Sequence, residues 1–104
     1  MPYIKPEERE FYDNLIENII DQIFCFGITE FDRNDWKGHL NYIISKLCHR
    51  IIKIRELRYH TCNDVMGVLE CVKQELYRTV IATYEDEKRS ENGSVSKLDS
   101  VEDE

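Results

Sequence analysis

Proline is nearly absent from this chain. Only Pro2 and Pro6 occur, and glycine appears four times in 104 residues. Beyond residue 6 the usual helix breakers are therefore rare, and long helices are permitted almost everywhere. Strand signals are missing as well: no run alternates apolar and polar residues between turn residues. No apolar run approaches the ~18–20 residues that a membrane-spanning helix needs. The opening "MPYIKPEERE" is charged and lacks the apolar stretch of a secretory leader. The four cysteines (Cys25, Cys48, Cys62, Cys71) are thus expected as free thiols in a reducing compartment. There is no internal repeat, and no glycine-rich phosphate loop.

Charge is plentiful. Charged residues make up 34% of the chain and apolar ones 41%, which suits helices with solvated faces around a modest core. The formal net charge is −7. Residues 85–104 hold eight acids against three bases, whereas residues 1–84 hold thirteen against eleven. This asymmetry predicts a nearly neutral single domain over 1–93, followed by a disordered acidic tail over 94–104. One segment runs against the trend. Residues 46–60 carry Lys46, Arg50, Lys53, Arg55 and Arg58 against Glu56, with His49 and His60 added.

Apolar spacing of three and four residues defines three helices. The first is expected from about Pro6 to Phe26. Pro6 suits a first turn, and the acids of "PEERE" sit at the positive end of the dipole. Its stripe is Tyr12, Leu15, Ile16, Ile19, Ile20 and Ile23, and Gly27 is the expected stop. The second is expected over 35–56, capped by Asp32 or Asn34, with a stripe of Trp36, Leu40, Ile43, Ile44, Leu47, Ile51 and Ile54. The third is expected from about Asp64 to Lys88 or beyond. Thr61 and Asp64 approximate a capping box, and Asn92 or Gly93 provides the stop. Val65, Leu69, Val72, Leu76 and Val80 form its stripe, with Leu69 at the centre. The fold class is therefore all-α: a three-helix, bundle-like domain with short connections.

The segments "GVLECVKQELYRTVIATYEDEKRSENG", "GHLNYIISKL" and the start "MPYI" resemble a family of small bacteriophage and prophage proteins classed as a domain of unknown function. The resemblance covers most of residues 1–93, is weakest over about 8–35, and is most specific in "YRTVIATYEDEKRSENG". It implies a viral source, a helical fold and the cytoplasm of an infected bacterium. It brings no catalytic residues. The family often has proline where this chain has Thr83, which implies a smoother helix here.

The residues offer few sites. Zinc sites use paired Cys or His at short spacing. Here His39, Cys48, His49, His60 and Cys62 supply only "CH" and "HTC", so no metal or other cofactor is expected. Cys48 and His49 are sequential on a helix and point about 100° apart, which does not make a nucleophile–base pair. No catalytic residue is assigned. Lys46, Arg50, Lys53, Arg55, Arg58, Tyr59 and His60 are the candidate site for a small anionic ligand of nucleotide type, with Tyr59 placed to stack. Helix-dipole complement explains the same bases without a ligand. The acidity of the whole chain argues against duplex DNA. Phe24, Phe26, Phe31 and Trp36 are the candidate protein interface, because three helices of this size cannot bury eleven aromatics. The expected function is non-enzymatic binding of a host or phage protein, the alternative being anion capture by an oligomer. A homo-oligomer fits both.

Overall fold

The computed structural model describes residues 4–24 and 35–99, and among them the fold is all-α with no strand. The expected stop at Gly27, the caps Asp32 and Asn34, and residues 100–104 of the tail lie outside the described residues. The chain folds as two compact units, Met1–Met66 and Gly67–Glu104.

The first unit contains α1 (Pro6–Phe24), α2 (Trp36–Arg55) and the start of α3 (Tyr59–Leu76). The Lys5 carbonyl accepts from the amides of Glu8 (2.9 Å) and Arg9 (3.2 Å), which opens α1 at the proline as expected. Asp35 is the N-cap of α2. Its carbonyl accepts from the amides of Gly38 (3.1 Å) and His39 (3.4 Å), while its carboxylate takes the His39 Nε2 at 3.1 Å. α1 and α2 meet where Phe24 and Trp36 pack with ring centroids 6.3 Å apart and planes tilted 39°. Ile23, at 4% exposure, is buried at the same end of α1.

The third helix starts five residues earlier than its sequence suggests. α2 ends at Glu56, a non-glycine residue at φ 83°, ψ 139°, a strained conformation that turns the chain at once. Arg58 pairs with Glu56 at 2.6 Å, and its carbonyl accepts the Cys62 amide at 3.0 Å, so helix resumes at Tyr59. Thr61 is consequently no cap. It lies inside the first turn at 7% exposure.

In the second unit α3 runs into a five-residue π turn, Tyr77–Ile81, and continues as α4 (Ala82–Asn92). The Ala82 amide donates to the Tyr77 carbonyl, five residues back. Thr83 does not bring the smooth helix that its replacement of proline implied, because the irregularity lies one turn before it. Thr79 donates its hydroxyl to the Glu75 carbonyl at 2.7 Å and Thr83 donates to the Thr79 carbonyl at 3.4 Å, back-bonds of the kind that bend helices. Gly93, at φ 97°, ends α4 and donates its amide to the Arg89 carbonyl at 2.8 Å. A short turn follows. The Val95 and Ser96 amides donate to the Asp99 carboxylate at 3.3 and 3.0 Å, and the Ser94 hydroxyl donates to the Asp99 carbonyl at 3.1 Å.

The stripes sit on these helices as spaced, but they do not form the modest core expected of them. Ile23 is the one buried apolar side chain among the described residues. Ile19, Ile43, Ile52, Val65 and Leu69 are half-buried, and the remainder of each stripe faces solvent. A 3.6-residue period specifies that a face is apolar. It does not specify whether the chain itself covers that face.

Candidate functional site

α2 positions the basic candidates. At 100° per residue, Lys46, Arg50 and Lys53 fall on one side of the helix, next to the apolar stripe. Arg55, nine residues after Lys46, projects from the opposite side. Arg58 lies in the connection to α3, held by Glu56, while Tyr59 (85% exposed) and His60 open α3. Three of the seven candidates therefore share a face, and four do not join it. The Lys46 Nζ sits over the Tyr42 ring, 5.9 Å from its centroid. Arg50, Lys53 and Arg55 have no ion-pair partner among the described residues. α2 holds five bases and no acid.

Two of the four candidate interface aromatics can be placed. Phe24 and Trp36 contact each other and keep 48% and 38% of their surface open. Phe26 and Phe31 lie outside the described residues.

The metal-type side chains do not assemble. Among the described residues, no three of His, Cys, Asp and Glu gather into a metal-sized group. His39 is engaged with Asp35, and Cys48 and Cys62 are half-buried free thiols.

The structure also reveals two features absent from the sequence-based expectations. The first is the charge of α1. Glu7, Glu8, Glu10, Asp13, Glu17 and Asp21 stand against Arg9 alone, a net −5 in 19 residues. Averaging over residues 1–84 hid it, because α2 carries +5. An open groove of about 310 Å³ lies on the same helix, lined by Ile4, Arg9, Tyr12, Asp13 and Ile16.

The second feature is the effect of the π turn on the apolar stripe. Leu69, Val72 and Leu76 follow the heptad spacing, which would continue at Thr79 and Thr83. One inserted residue shifts the helix by about 100° and brings Val80 and Tyr84 into line instead. The signal was present in the sequence as a one-residue slip between Leu76 and Val80.

Around this stripe several charged side chains pair with neighbours on the helix, while the buried Arg89 Nε has no hydrogen-bond partner among the described residues. Glu70 accepts from the Gln74 amide at 2.8 Å and faces Lys73 at 3.5 Å, and these partners, the amide first, hold its carboxyl below the usual range. Arg78 pairs with Glu75 at 2.8 Å, Arg89 with Asp86 at 3.2 Å, and Lys88 with Glu91 at 3.4 Å. Tyr77 donates its hydroxyl across the π turn to Glu85 at 2.8 Å, and the hydrogen bond and charge of that carboxylate raise the phenol pKa. Asp99 is lowered by the amides of Ser96 and Val95, and to a lesser degree by the charge of Arg89.

No helix among the described residues is long and apolar enough to cross a membrane. No curated protein and no solved structure matches the chain. A family profile matches residues 1–95, nearly the whole chain, and on that match the protein belongs to the family described as Domain of unknown function (DUF6899).

Proposed function

We propose that this chain is a small non-enzymatic accessory protein of a bacteriophage, which acts in the cytoplasm of the infected host by binding a host or phage protein. The phage setting rests on the resemblance carried by "MPYI" and "YRTVIATYEDEKRSENG". The observation that carries the binding function is the stripe of the second unit. Val72, Leu76, Val80 and Tyr84 are exposed, aligned through the π turn, and flanked by charges already paired within the helix. A helix of this kind suits an apolar groove on a partner, with the stripe as anchors. Phe24 and Trp36 offer a further aromatic contact. The acids outside the pairs, such as Glu87, steer the encounter with a basic target.

Native mass spectrometry of the tagged protein recovered from infected cells tests this reading. The wild type should carry a stoichiometric protein partner, and the double variant Val80→Asp, Tyr84→Asp should lose it while its circular dichroism stays helical. A partner retained by that variant would place the binding elsewhere.

The bases of α2, which have no ion-pair partner among the described residues, support a second reading, in which Lys46, Arg50 and Lys53 hold a small anion of nucleotide type. Calorimetric titration with nucleotides tests it, with the Lys46→Ala, Arg50→Ala, Lys53→Ala variant expected to give no heat.

A further inference from the structure

α1 and α2 are opposite in charge, equal in magnitude and adjacent in one unit, and the ring contact between them is at one end of each. Their contact is at Phe24 and Trp36, and among the described residues no carboxylate of α1 pairs with a base of α2. Away from that end both stripes are open. On α1 these are Tyr12, Leu15, Ile16 and Ile20, and on α2 they are Leu40, Ile44, Leu47, Ile51 and Ile54, the last 70% exposed. The α2 set has the alternating four- and three-residue spacing of a coiled-coil seam.

We propose that a second copy of this chain covers these faces, with α1 of each copy lying on α2 of the other around a two-fold axis. Charge selects this pairing. In a seam through Leu40, Ile44, Leu47, Ile51 and Ile54, Arg50 and Arg55 occupy the flanking positions. Two α2 helices packed on each other would bring +5 against +5, and two α1 helices −5 against −5. Only α1 against α2 sets opposite signs face to face, and a two-fold axis makes that contact twice. The nine stripe side chains each keep 40–70% of their surface open, which leaves apolar area for a partner to bury. The groove lined by Ile4, Arg9, Tyr12, Asp13 and Ile16 gives a branched side chain of α2 a seat, its one base and one acid cancelling. The pairing uses residues apart from Val80 and Tyr84, so it stands or falls independently of target binding by the second unit.

Charge reversal on the full chain tests the pairing. Arg50→Glu, Arg55→Glu reverses both bases that flank the α2 seam and takes α2 from +5 to +1, and Asp13→Lys, Glu17→Lys reverses the acids beside Ile16 and Ile20 and takes α1 from −5 to −1. All four positions are exposed, so both variants should keep their helical circular dichroism. Each variant alone sets like charges together at both contacts, and its dimer should weaken at least about tenfold in sedimentation equilibrium. An equimolar mixture restores opposite charges at both contacts, so the two variants should form a 1:1 heterodimer at wild-type affinity. A wild type that sediments as a monomer at high concentration would overturn the proposal. So would variants that stay dimeric alone, or a mixture that stays monomeric. If either variant loses its helicity, the single reversals Arg50→Glu and Asp13→Lys replace the doubles in the same mixing test.

Discussion

α2 and the α3–α4 rod of the second unit are both amphipathic helices with exposed stripes, but they treat charge in opposite ways. The rod interleaves its signs. Glu70 with Lys73, Glu75 with Arg78, Asp86 with Arg89 and Lys88 with Glu91 all pair at three-residue spacing, and Tyr77 reaches Glu85 across the π turn. α2 has nothing of the opposite sign to pair with, since all five of its charges are positive. Isolated pairs on a helix contribute only about 0.2–0.5 kcal/mol each, so the difference matters little to the stability of either helix. It matters to what each face can bind. The rod has settled its charges locally and offers a partner mainly apolar surface. Among the described residues Arg50, Lys53 and Arg55 of α2 have no ion-pair partner, and in the proposed dimer α1 of a second copy supplies the complement.

The contrast can be sharpened from the rod's side by removing one of its half-buried apolar groups. Leu69 is half-buried in the described structure. Leu69→Ala should therefore cost about 1–2 kcal/mol in chemical denaturation, less than the ~2–5 kcal/mol of a fully buried leucine. A near-neutral result would mean that α3 depends on its stripe no more than a solvated helix does. A smaller effect comes from giving α2 the interleaving of the rod. His49→Glu places a carboxylate three residues after Lys46 and four before Lys53. The helix should gain a few tenths of a kcal/mol in thermal melting, while self-association measured by sedimentation weakens a few-fold. Unchanged self-association would show that the bases of α2 do not face the acids of a second copy.

Helix existence was legible in the sequence, because the three- and four-residue spacing of Leu40, Ile44, Leu47, Ile51 and Ile54 has no other regular solution. The start of α3 was not. Thr61 and Asp64 supply capping chemistry, and the real start follows Glu56, whose φ of 83° interrupts the helix and for which a glutamate gives no warning. The π turn was legible only as a slip from Leu76 to Val80, since the apolar residues themselves look ordinary. Exposure was hidden entirely: the same stripe serves a core or an interface. Among the candidate site residues, Lys46, Arg50 and Lys53 share one face of α2 by their spacing, whereas Arg55 projects from the opposite side and Arg58 lies in the connection to α3, paired with Glu56. The acidity of α1 needed only a helix-by-helix count. A sum over the whole folded region cancelled it against α2.

The most direct test of the account is sedimentation equilibrium of the unmodified chain as salt rises from about 0.05 M to about 0.5 M, a range that shortens the screening length from beyond 10 Å to near 4 Å. Pairing of α1 with the partner copy's α2 predicts a dimer at the low end whose dissociation constant climbs steadily with salt. A monomer throughout, or a dimer indifferent to salt, would contradict it.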